Sequence, residues 1–205
     1  MRINIVGAGK GWQDAPRDEL CWGFYSTAAL RPVDVIFDMH PIPDMLSGKR
    51  QEEGRTYRNP QATAKMLMKA KANNVPVFSL EAYEGCVKYP IKEIVKEFNI
   101  SFFSCGPCYV IALALYMGAT EINLYGIRLV GREYKFEKEG ILYWRGRAEG
   151  MGVKFTVKTP SNLMNLDPRV LKGYTFPSEV YGYEVPQDNF IEDVLNDNLK
   201  HHQSG

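Results

Sequence analysis

Three short clusters in this sequence carry residue types suited to holding an anion or to moving a proton. In the first, "IVGAGKGW", an apolar run leads into Gly7, Gly9, Lys10 and Gly11. Glycines at alternate positions let backbone N–H groups approach a phosphate without a Cβ in the way, and the lysine adds charge. Two common forms of such a loop are excluded. A Walker loop needs glycine, lysine and a hydroxyl residue in that order, but Lys10 precedes Gly11 and Trp12 follows it. A dinucleotide fingerprint needs glycine where Trp12 stands. Either the turn holds an anion in another way, or its glycines merely permit the turn.

The second cluster, "VIFDMHP", carries Asp38 and His40 to the end of an apolar run. The other histidines, His201 and His202, lie at the far C-terminal end, so a histidine general base would be His40. An Asp-x-His pair can orient and tune an imidazole, and the aspartate could instead hold a ribose hydroxyl. The alternative is a local cap ahead of Pro41 and Pro43.

The third cluster, "SFFSCGP", sets Ser104, Cys105 and Gly106 at a helix start, where free N–H groups and small hydroxyls suit phosphate or ribose. Ser104 is equally suited to cap that helix. Arg128 follows Gly126 after a later apolar run, and arginine is the side chain best shaped for a bidentate grip on phosphate. Cys105 and Cys108 have CxxC spacing with no second CxxC to complete a zinc site, so no metal is expected. The functional reading of the pair is a redox couple or half a metal site, and the other reading is two small residues near a helix start.

Positioning these clusters requires strands that alternate with helices. Short apolar runs bounded by turn residues predict strands at "INIVGA", "LCWGFY", "VDVIFD", "VPVFSL", "ISFFS", "EINLYGI" and "VKFTV". Helical spacing appears in "PQATAKMLMKAKANN", through Ala64, Leu67, Met68 and Lys71, and in "YPIKEIVKEFN", through Ile91, Ile94, Val95 and Phe98. The segment "GPCYVIALALYMGA" is apolar nearly all round, as a helix buried against a sheet would be. The alternation predicts a three-layer Rossmann-like α/β sandwich with a mostly parallel sheet. The reading is one domain over 1–163, followed by an irregular extension, 164–205, that wraps the domain or meets a partner, a second copy included. Residues 47–59 read as a long mobile loop.

Composition narrows the partners. At 45% hydrophobic and 24% charged residues the chain reads as an ordinary globular protein. A formal net charge of +1 gives no whole-protein attraction to nucleic acid or to an anionic membrane. Small partners are favoured over polymers, no further cofactor is expected, and the absence of a leader or a membrane-length apolar run points to the cytoplasm.

The segments "IVGAGKGWQDAP", "CWGFYS", "VDVIFDMHP", "FFSCGPCYVIALALYMGATEINLYGIRL" and "YWRGRAEGMGVKFTV" together resemble a group of phage-encoded Rossmann-like proteins of unsettled activity. More distantly, the glycine loop and "ALALYMGATEINLYGI" resemble bacterial sialyltransferases, flagellin-modifying motility-accessory proteins and hydroxymethylpterin diphosphokinases. The sialyltransferase likeness implies that Gly7, Gly9 and Gly11, with Ser104, Cys105 and Gly106, hold the nucleotide of a sugar donor in a host cell's cytoplasm. In that group the strand end reads Gly-Ile-Asp or Gly-Val-Asp, whereas this chain has Gly126-Ile127-Arg128. The group's catalytic histidine lies well downstream, and this chain has none between His40 and His201. What carries over is therefore a nucleotide site, to be used either by a glycosyltransferase-like enzyme or by a module that sequesters a nucleotide-derived signal without turnover. Because Trp12 replaces the fingerprint glycine, NAD and NADP should show no micromolar binding by calorimetry.

Overall fold

The computed structural model describes residues 1–47, 59–127 and 135–158, all within the compact unit Met1–Leu163. Short β-branched and aromatic runs form the strands β1 (Arg2–Val6), β2 (Cys21–Phe24), β3 (Val35–Asp38), β4 (Val77–Ser79), β5 (Val87–Lys88), β6 (Glu121–Tyr125) and β7 (Lys154–Val157). They make a seven-stranded sheet in the order β5-β4-β3-β2-β1-β6-β7, with every pairing parallel. The expected Rossmann-like α/β architecture is present. The strand order reverses between β1 and β6, and ligands of open α/β sheets bind at the carboxyl end of such a reversal.

Period-two alternation splits each strand between two faces. Ile3, Ile5, Trp22, Phe37, Ile122 and Leu124 face a core closed by the helices α4 (Ile91–Phe98), α5 (Gly106–Tyr116) and α6 (Lys135–Gly150). Helix α5 buries seven of its eleven residues, which explains its nearly all-apolar sequence. Gly118, at φ 76°, follows its end. On the opposite face Val33, Ile36 and Val77 meet Met66 and Ala70 of α3 (Pro60–Ala72), flanked by the one-turn helix α1 (Tyr25–Ala28). Helix α2 (Ile42–Ser47) precedes α3.

The structure corrects several local expectations. "ISFFS" is not a strand: it crosses beneath α6, where the Trp144 indole donates to the Phe102 carbonyl at 2.8 Å and Phe103 stacks on Tyr109. The buried stripe of α3 is Thr63, Met66 and Ala70, while Met68 is 73% exposed, because the helix turns a different side of its weakly patterned sequence to the sheet. Asn59, read as loop, caps α3 by accepting the Gln61 N–H at 2.8 Å. Residues 48–58 of that loop, the 164–205 extension and Arg128 lie outside the described residues.

Two features tie β1 to β6. Asn4 and Asn123 are opposite each other in register and buried, and the Asn123 amide donates to Asn4 Oδ1 at 3.2 Å. Asn4 in turn donates to Glu19 and to the Leu20 carbonyl, so both amides are satisfied inside the sheet. Beyond the strands, the Gly7 N–H donates to the Tyr125 carbonyl and the Gly9 N–H to the Gly126 carbonyl, each at 2.8 Å. A Cβ on Gly7 would lie 2.6 Å from the Gly126 carbonyl oxygen. Gly126 has φ 60°, and a Cβ there would meet the Gly9 and Gly7 oxygens at 2.7 and 2.9 Å. Backbone fills the space on both sides, so glycine is required at each position.

Gly7→Ala should therefore lower unfolding stability by about 1–3 kcal/mol, as overpacking against backbone does. Gly146→Ala, on the exposed side of α6 with nothing within 4 Å of the added carbon, should raise it by about 0.5–1 kcal/mol. Urea unfolding of the two variants beside the parent checks both signs.

Candidate functional site

The glycine loop begins where β1 ends and is fixed by backbone contacts before any ligand is considered. With the Gly7 and Gly9 N–H groups committed to β6, the N–H groups of Ala8, Lys10 and Gly11 make no hydrogen bond among the described residues. Ala8 and Lys10 are exposed, whereas Gly11 is buried at φ 95° and turns the chain into the 3₁₀ turn Trp12–Asp14. Trp12 packs partly buried against Val6, Ala15, Cys21 and Tyr125, so its ring serves the small core under the loop.

Two side chains that sequence reasoning missed hold this turn. Arg31 donates to the Ala15 carbonyl at 2.8 Å and to the Pro16 carbonyl at 2.7 Å, clamping the segment after Trp12. Thr27 is buried on α1 and donates its hydroxyl to the Val6 carbonyl at 2.6 Å, tying α1 to the end of β1. Neither lies in a motif, and both act across the fold on carbonyls 15 to 21 residues away, so no local signal could have revealed them.

Asp38 ends β3 with its side chain almost wholly buried, and His40 follows with its ring 57% exposed. The Asp38 Oδ1 lies 3.0 Å from His40 Nδ1 and accepts the His40 backbone N–H at 3.4 Å. A carboxylate there holds the proton on Nδ1, which gives Nε2 the acceptor lone pair a general base uses. Ser79 pairs in register with Asp38 at the same edge, but its hydroxyl donates to the Glu81 carbonyl. β3 stands two strands from β1, or about 10 Å at the usual strand spacing.

The start of α5 differs from the expected cap. Cys105 is the N-cap and makes no side-chain capping bond, while the Ser104 hydroxyl turns away from the helix N–H groups and donates to the Glu137 carbonyl at 3.0 Å. Gly106 faces the Phe24 ring at the end of β2, where an added Cβ would come 3.3 Å from the ring. Ser104 and Cys105 are thus directed toward α6, leaving the backbone at Gly106 as this element's contribution to the carboxyl edge.

The glycine loop and Gly126 are joined directly. Gly106 meets the end of β2, and the Asp38–His40 pair occupies the end of β3. Among the described residues, no helix is long and apolar enough to cross a membrane.

No protein-family model matches the sequence, and no curated protein does. Among solved structures the chain is similar to the sialyltransferase CstII from Campylobacter jejuni, determined in complex with a substrate analogue, CMP-3FNeuAc. The sequences are 16% identical, the match covers 80% of this chain and 83% of that one, and the TM-score is 0.47. That likeness is one of overall fold.

If Asp38 sets the tautomer, long-range ¹⁵N–¹H NMR should find the neutral His40 ring protonated at Nδ1. In Asp38→Asn the proton should redistribute toward Nε2, and an unchanged spectrum would remove the orienting role.

Proposed function

We propose that this chain binds a nucleotide, with its phosphates at the glycine loop, and acts as a nucleotide-sugar-dependent transferase. The observation that carries this reading is the junction of the β1 and β6 turns at the carboxyl-edge reversal, where exposed Ala8 and Lys10 keep backbone N–H groups that no acceptor among the described residues takes. Such groups, aimed by a rigid turn, suit a phosphate.

In this scheme Gly7 and Gly126 build the floor, and Ala8, Gly9, Lys10 and Gly11 surround the phosphates. Lys10 and Arg128 offset the charge that develops on the departing phosphate. Gly106, with Ser104 and Cys105 behind it, borders the nucleoside. His40, oriented by Asp38, takes a proton from an acceptor hydroxyl as the bond from the sugar to the phosphate breaks. A second reading is a module that sequesters a nucleotide-derived signal without turnover, as a phage could use against host defence. It is favoured by the resemblance to phage-encoded proteins and by the lack of a histidine between His40 and His201.

A panel of nucleotides and nucleotide sugars tested by thermal shift should give at least one clear hit, because a ligand at a hundredfold excess over its dissociation constant stabilises the folded state by about 2.7 kcal/mol. Lys10→Glu and Arg128→Lys should each weaken that ligand roughly tenfold, the factor that 1.4 kcal/mol supplies, with no change in melting temperature without ligand. Gly9→Val, if circular dichroism shows it folded, should lose the shift. Full affinity in all three variants would detach the ligand from the loop. With the hit in hand, release of the nucleotide that depends on an added acceptor and is lost in His40→Ala supports transfer. Tight binding with the ligand recovered intact supports sequestration.

A further inference from the structure

The function proposed above makes no use of the thiol chemistry of one cluster. Cys105 and Cys108 place their sulfurs 3.5 Å apart in the first turn of α5, with both thiols free. The Ser104 hydroxyl sits 3.6 Å from Cys108 Sγ, and the Cys105 thiol lies 3.6 Å from the Glu137 carbonyl. Helix α6 makes room for the cluster with Gly140, where an added Cβ would come 2.8 Å from Cys108 Sγ and collide with the Ser104 hydroxyl. Cys21 and Cys86 have no such neighbour. Cys21 donates to the Pro16 carbonyl, and burial pushes the thiols of both Cys21 and Cys86 up.

We infer that Cys105 and Cys108 form a thiol–disulfide exchange site that is oxidised reversibly by a low-molecular-weight disulfide of the glutathione type. The two sulfurs are already in van der Waals contact, so bond formation at about 2.05 Å needs a shift of roughly 1.5 Å and no change of fold. Exposure fixes the order of attack. Cys105 retains 9% exposure and meets the incoming disulfide, whereas Cys108 is fully buried and can react only with a sulfur bonded beside it.

The electrostatics supply the proton path. The hydrogen bond from the Cys105 thiol holds the Cys108 thiol down at about 7 against the burial that opposes ionisation, and the same pairing pushes Cys105 up. As Cys105 Sγ attacks one sulfur of RSSR, its proton passes to the Cys108 thiolate. The S–S bond of RSSR breaks and RS⁻ departs, leaving a mixed disulfide on Cys105. Cys108 then loses that proton, attacks Cys105 Sγ and expels the second RS group as RSH. The two electrons lost by the cysteine pair are those gained by RSSR.

The test uses the full chain, folded and reduced, exposed to glutathione disulfide, quenched in acid, alkylated and mapped by mass spectrometry. Two of the four thiols should become unavailable, both within the 105–108 peptide with a loss of two hydrogens, and excess glutathione should restore them. Cys108→Ser should accumulate a glutathione adduct on Cys105, and Cys105→Ser should acquire none at position 108. Thiolate absorbance at 240 nm should rise with a midpoint near pH 7 in the parent and lose that step in Cys108→Ser. The inference is overturned if the pair in the folded parent stays fully alkylatable after treatment, or if the modification falls on Cys21 or Cys86 instead. The mapping of the parent decides this even if a variant fails to fold. No nucleotide enters the assay, so its outcome is independent of the loop reading.

Discussion

The close approach of two backbones at the ends of β1 and β6 is the constraint on which the rest of the molecule turns. Gly7 and Gly126 stand where any side chain would strike a carbonyl, and the crossed bonds from Gly7 to Tyr125 and from Gly9 to Gly126 lock the two strand exits together. At this junction β1 feeds one half of the sheet and β6 the other. With the exits fixed, the loop after β1 has little freedom, and Arg31 and Thr27 remove more of it by holding the neighbouring carbonyls.

This arrangement divides the labour among the glycines. Some N–H groups build the turn, while those of Ala8, Lys10 and Gly11 take no acceptor among the described residues, so both kinds come from the same short run. Phosphate loops gain affinity when their donors are already aimed before the ligand arrives, because little ordering entropy is then lost on binding. The histidine at the end of β3 is oriented in the same economical way, through a buried carboxylate two residues earlier on its own chain.

The parallel sheet was largely legible because buried strands leave an unmistakable mark: short β-branched and aromatic runs between turn residues, as at "VDVIFD" and "EINLYGI". The same rule misled at "ISFFS", whose apolar side chains serve an aromatic cluster with Tyr109 and Trp144 and whose backbone has no strand partner. The stripe of α3 was misread because its apolar residues spread round the helix, and only the packing against Ile36 and Val77 selects Met66 and Ala70. At the carboxyl edge, the Asp38–His40 pair could be recognised since its partners are two residues apart. Which loop N–H groups were already taken could not, because their acceptors lie more than a hundred residues along the chain.

The buried amides of Asn4 and Asn123 carry a consequence for how the chain reaches this state. Amides of this kind are tolerated in a sheet centre only when they find hydrogen-bond partners, and each left without one costs about 1–3 kcal/mol. Sliding β6 by one residue along β1 would turn Asn123 toward Ile5 and α5, and would leave Asn4 facing an aliphatic neighbour. A misaligned pairing of the two central strands is therefore disfavoured. The amide pair thus selects one register for the two central strands, the one in which the glycine junction a few residues further on can close.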